Sequence, residues 1–579
     1  MYHWTNNSYF PPGALRPFVN DSLNPFFPIM SRTQIQTRSN MNPADPEEAQ
    51  QSAPQGGIQS SLLPSNTTSV TPNTTRIPST STLSTSNNPS TSIPSTVNRS
   101  PKPSQREESK RGMGLGRLRP LIYVYDSPLS SSNILQYSVG ANICSWRYLG
   151  PPGNISYWMG GQYNVETYFH EALMTSEHRT FDPEEADFFY VPVYLSCLMS
   201  PVMNSREQPQ LTPTLTNKRV MHGTYLYHHA YEHIRQNYPF WNRSHGHDHI
   251  FLTPHDEGAC YLPYDVYVNS TLLTSWGRTD INHTSGTTFI YDNYSDFSDE
   301  TKSFGAMWQN LMGRHPCYDP VKDLVIPAFK SPRKYIHSPL MDYPPMKRDI
   351  LFYARGNMGT ANDPMYSRNI RQKLLSLSVK HQWDKNFSIY VIEKSDFKDY
   401  YRPCIKDMYS HQLARSKFCA VVPGDGFSSR FEDAVVHGCI PIIIQDRVHM
   451  PFESILDIDS FSVRLSESKV DEHLPHVLLS ISDEQVERMQ RRLGTVYHRF
   501  MYYTGVLFPE ELSLIRSKTS HCVNRQLKAS ATKTIWPKGH AFQHLKHLPH
   551  RSDAFYTVMQ WLRWRWEVLE AQGKVPVKL

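Results

Sequence analysis

The sequence predicts an α/β fold with two sheets facing one another across a cleft, preceded by a disordered N-terminal region of residues 1–118. Three observations predict it. Strand-length apolar runs alternate with helical patterns from Arg119 onward, pause over residues 328–347, and then begin again. The roughly 460 residues after the N-terminal region exceed the size, about 250–300 residues, at which one core stops growing, so two domains are expected. The stretch from Ser31 to Lys110 is rich in Ser, Thr, Pro and Asn and poor in aromatics. It has too little apolar surface to offset its ordering entropy and reads as a stalk or linker.

The elements follow in chain order. RPLIYVYDSP is an apolar strand that ends in Asp126 and a turn. TFDPEEADFFYVPVYLS joins a turn and an acidic helix start to a strand at 188–194. PFWNRSHGHDHIFLTPHDEGAC supplies a strand at 249–253 that runs into Pro254, His255, Asp256, Glu257 and Gly258. A strand at 323–326 is followed by proline-rich loops. From Arg348 a second series starts: RDILFYARGN is strand and turn, and SRNIRQKLLSL is helix. In open α/β sheets ligands bind beyond the C-terminal ends of the strands. Asp126, His255 to Glu257, Arg355 and Gly424 to Arg430 all stand at such ends.

The most informative stretch is FCAVVPGDGFSSRFEDAVVHGCIPIII, Phe418 to Ile444. A buried strand breaks at Pro423, Gly424 and Gly426, Ser428 and Ser429 follow, and Arg430 opens a helix that stops at Gly438. Strand, glycine turn and helix N-terminus together make a phosphate cradle, because free N–H groups and the positive helix end point at one place. Arg430 adds charge there. Such glycine turns also serve simply to join a strand to a helix.

Composition narrows the class. The formal charge of +6 over 579 residues is no nucleic-acid signature. KSPRK-type loops carry part of the excess and read as solvated surface. The eight cysteines form no CxxC pair, which argues against a zinc ribbon. Cys419 and Cys439 fall in buried strands and read as small core residues, although an even count permits disulfides. Six sequons, at Asn154, Asn242, Asn269, Asn282, Asn293 and Asn386, favour a lumenal setting. Met1 to Met30 shows no signal peptide or membrane anchor.

These residues carry a resemblance. RPLIYVYDSP, DPEEADFFYVPVY, PFWNRSHGHDHIFLTPHDEGA, LFYARGN and the Phe418 motif with PFESILDIDSFSV resemble the exostosin-like glycosyltransferases, glycosyltransferase family 47, in their plant-type spelling. The likeness runs from about Arg119 to Leu493. It implies a GT-B fold, with a Rossmann-like acceptor domain at 119–340 and a Rossmann-like donor domain at 341–500. A C-terminal extension at 501–579 has its helix packed back on the core. The implied activity is inverting transfer of a sugar from a nucleotide sugar, usually UDP-linked, to a polysaccharide or glycoprotein glycan in the Golgi. The resemblance implies no cofactor, no metal and no nucleic acid, and allows homo- or hetero-oligomers with other glycosyltransferases. The alternative is an inactive family member that binds nucleotide sugar or glycan as a partner subunit.

Roles follow from chemistry and from the resemblance. Asp433, one turn after Arg430, is placed to accept ribose hydroxyls, with Glu432 as second choice. Arg430, Ser428, Ser429 and the turn amides at Gly424 and Gly426 suit the diphosphate. Arg355 and Gly356 resemble the family's basic-Gly pair, and Arg368 is a further candidate to neutralise the leaving group, or else a surface ion pair. Inversion needs a base from the opposite wall. Asp256 and Glu257 lead and Asp126 is third, against the alternative that they cap a helix or order a loop.

Two metal readings are set aside. His245, His247, Asp248, His249, His255 and Asp256 resemble a metallohydrolase set, but strand alternation splits them between faces. Asp457-Ile-Asp459 reads as a helix cap or turn. In DAFYTVMQWLRWRWEVLE the stripe Phe555, Met559, Leu562 and Trp566 predicts a helix that packs on a domain. Trp561, Trp564 and Trp566 with Arg563 and Arg565 leave a membrane-surface helix as the alternative.

Overall fold

Six short strands build the first sheet of the computed structural model. They are β1 (Ile122–Val124), β2 (Arg179–Thr180), β3 (Phe188–Val191), β4 (His249–Thr253), β5 (Thr271–Thr274) and β6 (Leu324–Val325). All are parallel, in the order β2-β1-β3-β4-β5-β6. Full burial of β3 and β4 explains their unbroken apolar reading, since helices cover both faces of such a sheet. The structure describes residues 117–126, 147–148, 157–158, 162–195, 219–281, 310–359, 366–393, 409–424, 426–503, 512 and 552–576. The expected N-terminal region up to residue 116, three of the sequons (Asn154, Asn282, Asn293) and Cys144, Cys197, Cys404 and Cys522 lie outside them.

The second sheet is also wholly parallel. Its strands are β7 (Ile350–Gly356), β8 (Ile389–Glu393), β9 (Ser416–Val421), β10 (Ile440–Ile443) and β11 (Val463–Arg464), in the order β8-β7-β9-β10-β11. The chain leaves β7 to one side for β8 and returns to the other side for β9. The strand order therefore reverses between β7 and β9, where a doubly wound sheet opens its ligand crevice. In the first sheet the same reversal lies between β1 and β3.

Helices α1 (Val165–Thr175) and α2 (Arg219–Asn237) belong to the first half, and α3 (Ile370–Lys380), α4 (Tyr409–Arg415), α5 (Arg430–Val436) and α6 (Asp483–Val496) to the second. Ser482 caps α6 in a full capping box with Gln485. Helix α7 (Ala554–Ala571) starts at Asp553, whose carboxylate accepts from the Tyr556 N–H. The predicted stripe Phe555, Met559, Leu562 and Trp566 is buried, and Trp561 joins it at 2% exposed. Phe555 packs on Phe169, and Trp566 on Phe188 of β3, so α7 lies on the first half. Burial of Trp561, Trp566 and Arg565 counts against the membrane-surface alternative, of whose tryptophans Trp564 alone is exposed. No helix among the described residues is long and apolar enough to cross a membrane.

The halves share one apolar core, from Ile122 and Phe188 through Phe329 and Phe418 to Trp561. The expected division at residues 340/341 falls in a segment that already docks on the second half, although Phe329 N–H still bonds the Gln162 carbonyl of the first. Ala328 N–H donates to Glu432, Ser338 Oγ to the Val436 carbonyl, and His337 N–H to Ser410. The halves therefore separate near Pro327.

Among the described residues two disulfides are present, Cys260–Cys317 and Cys419–Cys439. Cys419 and Cys439 are thus not simply small core residues. Adjacent parallel strands brought them together, which their burial alone did not indicate. Asn242 and Asn386 of the sequons are exposed, and Asn269 is partly covered.

Candidate active site between the two sheets

The C-terminal ends of the two sheets meet. The loop after β4 carries His255, Asp256 and Glu257; the turn after β9 carries Gly424 to Ser429. Phe427 N–H donates to the Asp256 carbonyl at 2.9 Å. A Cβ on Gly426 would stand 2.0 Å from that same carbonyl oxygen. Gly426 is therefore required for the approach of the two loops, a different reason from the phosphate contact expected of it. At Gly424 the N–H bonds the Gly426 carbonyl, and the Gly424 carbonyl accepts from Ser367 N–H. Helix α5 has only seven residues, so side chains, more than a long helix dipole, charge the site.

Three arginines do so. Arg355 at the end of β7, Arg371 on α3 and Arg430 at the start of α5 line one pocket at the β7/β9 reversal. Gly356 lines it too, and its missing Cβ leaves room for the Arg371 guanidinium, 2.8 Å from where that atom would sit. Arg371 donates to the Asn357 carbonyl and to the Tyr366 hydroxyl. Arg368, three residues earlier, was expected as a further candidate or else as a surface ion pair, and it stands in an ion pair. Arg368 pairs with Glu467, reaches the Asp446 carbonyl and lies 5.7 Å from the Trp276 ring.

Asp433 is 1% exposed and serves three donors. Lys330 Nζ reaches Oδ1 at 2.7 Å; Tyr409 OH and Arg430 reach Oδ2 at 2.9 and 3.1 Å. Burial would raise its pKa, but Lys330 and Arg430 outweigh burial and hold the carboxyl well below its ordinary range. Asp433 thus orients Arg430, and these three donors compete with the ribose role expected of it. Glu432 is no substitute. It is 1% exposed, Oε1 accepts from Ala328 N–H, and burial pushes its pKa to about 7.

Lys330 belongs to KSPRK, which read as solvated surface. It is instead 7% exposed, held by the Ser429 carbonyl and Oγ, each at 2.9 Å, and by Asp433. Ser429 Oγ donates to Gln162 at 3.2 Å, and Gln162 donates to Asp256 Oδ1 at 3.4 Å. Tyr163 OH donates to Asp256 Oδ2 at 2.7 Å, and its ring stacks on His255. A polar chain thus crosses from the second sheet to the first. Gln162, Tyr163, Lys330, Arg371 and Tyr409 were all missed. Only Arg371, a basic residue one turn beyond Arg368, left a usable signal.

Ser428, next to Ser429, sits in the same turn and is partly exposed. Glu257 is 3% exposed beside Asp256. Asp126 is exposed at the end of β1, two strands or about 10 Å from β4, so it is not brought to Asp256. The histidines are dispersed: His249 bonds Asp248 and Tyr125, while His247 bonds the Asn269 carbonyl. Among the described residues no group of His, Cys, Asp or Glu could hold a metal ion. Asp457 precedes a short 3-10 turn and Asp459 pairs with Arg464.

Comparison with known proteins gives this geometry its context. Residues 117–481 match the model of the Exostosin GT47 domain. A rice (Oryza sativa subsp. japonica) protein named "Probable glucuronosyltransferase" is 29% identical over 65% of this chain and 79% of its own. From Arabidopsis thaliana, a "Probable glucuronoxylan glucuronosyltransferase" is 27% identical over 66% of this chain and 68% of its own. A "Probable beta-1,4-xylosyltransferase" of the same plant is 28% identical over 65% of this chain and 80% of its own. Among solved structures, the pneumococcal O-GlcNAc transferase GtfA is 12% identical over 49% of this chain and 57% of its own. Its TM-score of 0.24 is too low to bear on the fold.

Proposed function

The chain belongs to the exostosin GT47 family of glycosyltransferases, and from that premise we propose that it transfers a sugar from a UDP-linked donor to a cell-wall polysaccharide or glycoprotein glycan, with inversion. The observation that carries this reading is an arginine-lined pocket beside the glycine turn that meets a carboxylate-bearing loop at the facing ends of two parallel sheets. The pocket suits a diphosphate: Arg355, Arg371 and Arg430 supply fixed cations over an apolar floor of Leu374, Val391 and Val422.

The reaction follows. An acceptor hydroxyl attacks the anomeric carbon from the side of the first sheet and gives its proton to a carboxylate there. The bond to the β-phosphate oxygen breaks, and the diphosphate leaves with its charge met by the arginines. Asp256 is the leading base, oriented by Tyr163 and Gln162, with Glu257 beside it and Asp126 further along the edge. The relatives' names point to glucuronate or xylose as the sugar. Disulfides and exposed sequons support a lumenal, Golgi setting.

A second reading is favoured by one observation. Asp256 is 8% exposed and already bonded, as a loop-ordering carboxylate would be. A partner subunit that binds donor without turnover would look the same. Release of UDP from UDP-glucuronate or UDP-xylose, with xylan oligosaccharides as acceptors, tests the first reading. Donor binding with no release above hydrolysis for either sugar supports the second. In an active protein, Asp256→Asn should lower kcat by about a hundredfold or more, the scale of general-base catalysis.

A further inference from the structure

We propose that Lys330 keeps the donor pocket cationic by taking up the Asp433 carboxylate, and that it does so from outside the donor-binding sheet. The proposal rests on the reading of that pocket as a nucleoside-diphosphate site. Arg430 and Asp433 stand one turn apart on α5 and pair at 3.1 Å. Left to themselves, they are a neutral pair with the guanidinium spent on its own helix. Lys330 adds a second cation on the other oxygen, at 2.7 Å. Lys330, Arg430 and Asp433 together then carry one positive charge, beside those of Arg355 and Arg371.

The geometry makes Lys330 a positioning residue. An ammonium group has three hydrogens, and three acceptors take them: Asp433 Oδ1, the Ser429 carbonyl and Ser429 Oγ. Nothing remains for a ligand. The contacts also fix Ser429 next to Arg430, and Ser429 Oγ passes the link on to Gln162 and so to Asp256. Lys330 thus sets both the charge of one wall and its distance from the other.

The test is UDP binding by calorimetry to the full chain and to Lys330→Met, Asp433→Asn and the double variant. The wild type should bind UDP. Lys330→Met should bind at least about tenfold more weakly, because the pocket then holds an unneutralised carboxylate. Asp433 faces Lys330, Lys334, Arg430 and Tyr409, with Glu432 beside it. With Glu432→Gln in the background to remove that neighbour's titration, the affinity of Lys330→Met should also become pH-dependent, improving as Asp433 is protonated, which a merely structural lysine would not produce. Asp433→Asn removes the anion that orients Arg430 and completes the cycle, and the double variant should bind at least about threefold more tightly than Lys330→Met. Equal affinity of Lys330→Met and wild type overturns the proposal. So does a double variant no better than Lys330→Met. Should Lys330→Met fail to fold, Lys330→Gln takes its place: a loss of about tenfold or more is expected, and affinity equal to wild type overturns the proposal. A wild type that binds no UDP refutes the donor reading instead.

Discussion

Glu432 shows how much one residue's surroundings control. It sits beside Asp433 on the same two-turn helix, yet burial raises its pKa from 4.5 to about 7, opposed by Lys330, while Asp433 moves down. An acid with a raised folded pKa is favoured protonated in the native state. Its stabilising contribution is therefore complete below about pH 4.5 and lost as the pH rises through about 7. The span corresponds to about 3 kcal/mol for a group this buried. Glu432→Gln removes the titration, so its melting temperature relative to wild type should rise between pH 5 and pH 8. Thermal melts of both proteins across that range check this; a gap that does not vary with pH would show that Glu432 stays charged. At this scale the sequence was least informative. RFED showed the acids, but the partner that separates their behaviour, Lys330, lies 103 residues before Asp433. Lysines in proline-rich loops are usually solvated, and only the fold brings this one inside.

Between elements, the sequence spoke clearly about strands and poorly about what their ends touch. Strands β4, β9 and β10 were legible because buried parallel strands read as short apolar runs bounded by turns. The glycine turn was legible too, but its purpose was not. Gly426 makes space for the Asp256 carbonyl of the other half, and no local pattern encodes a contact with a loop some 170 residues away. A paired substitution separates the two explanations. Gly426→Ala places a Cβ 2.0 Å from backbone oxygen and should push the Asp256 loop off the turn, breaking its bond from Phe427 N–H. Transfer should fall by about tenfold or more, since small misplacements of reacting groups cost that much. Gly424→Ala places its Cβ 3.3 Å from the Phe427 carbonyl oxygen, a tight contact that a shift of a few tenths of an ångström relieves, and should retain clearly more activity than Gly426→Ala. Equal losses in both would return Gly426 to a role in the turn itself.

Across the whole molecule, the chain closes on itself. After crossing into the second half it returns through Tyr502, whose ring meets Tyr168 and whose hydroxyl bonds the Pro327 carbonyl at the division. Helix α7 then lies on α1 and β3 of the first half through Phe555 and Trp566. The apolar stripe of α7 was plain in the sequence. Which half it would cover was not, because periodicity gives a helix its buried face and says nothing of the partner. This return makes the C-terminal helix part of the core of the first half. Trp566→Ala empties a large buried site and should cost about 3–5 kcal/mol of stability. The arginine pocket is built from β7, β8, β9, α3 and α5 with their adjoining loops and makes no use of Trp566. Below the lowered melting temperature, UDP affinity should accordingly match wild type. Calorimetric melts with UDP titration at a fixed lower temperature check both parts. An unchanged melting temperature would mean that α7 is an appendage, and a lost UDP site in a folded variant would mean that the first half shapes the donor pocket far more than its lining residues show.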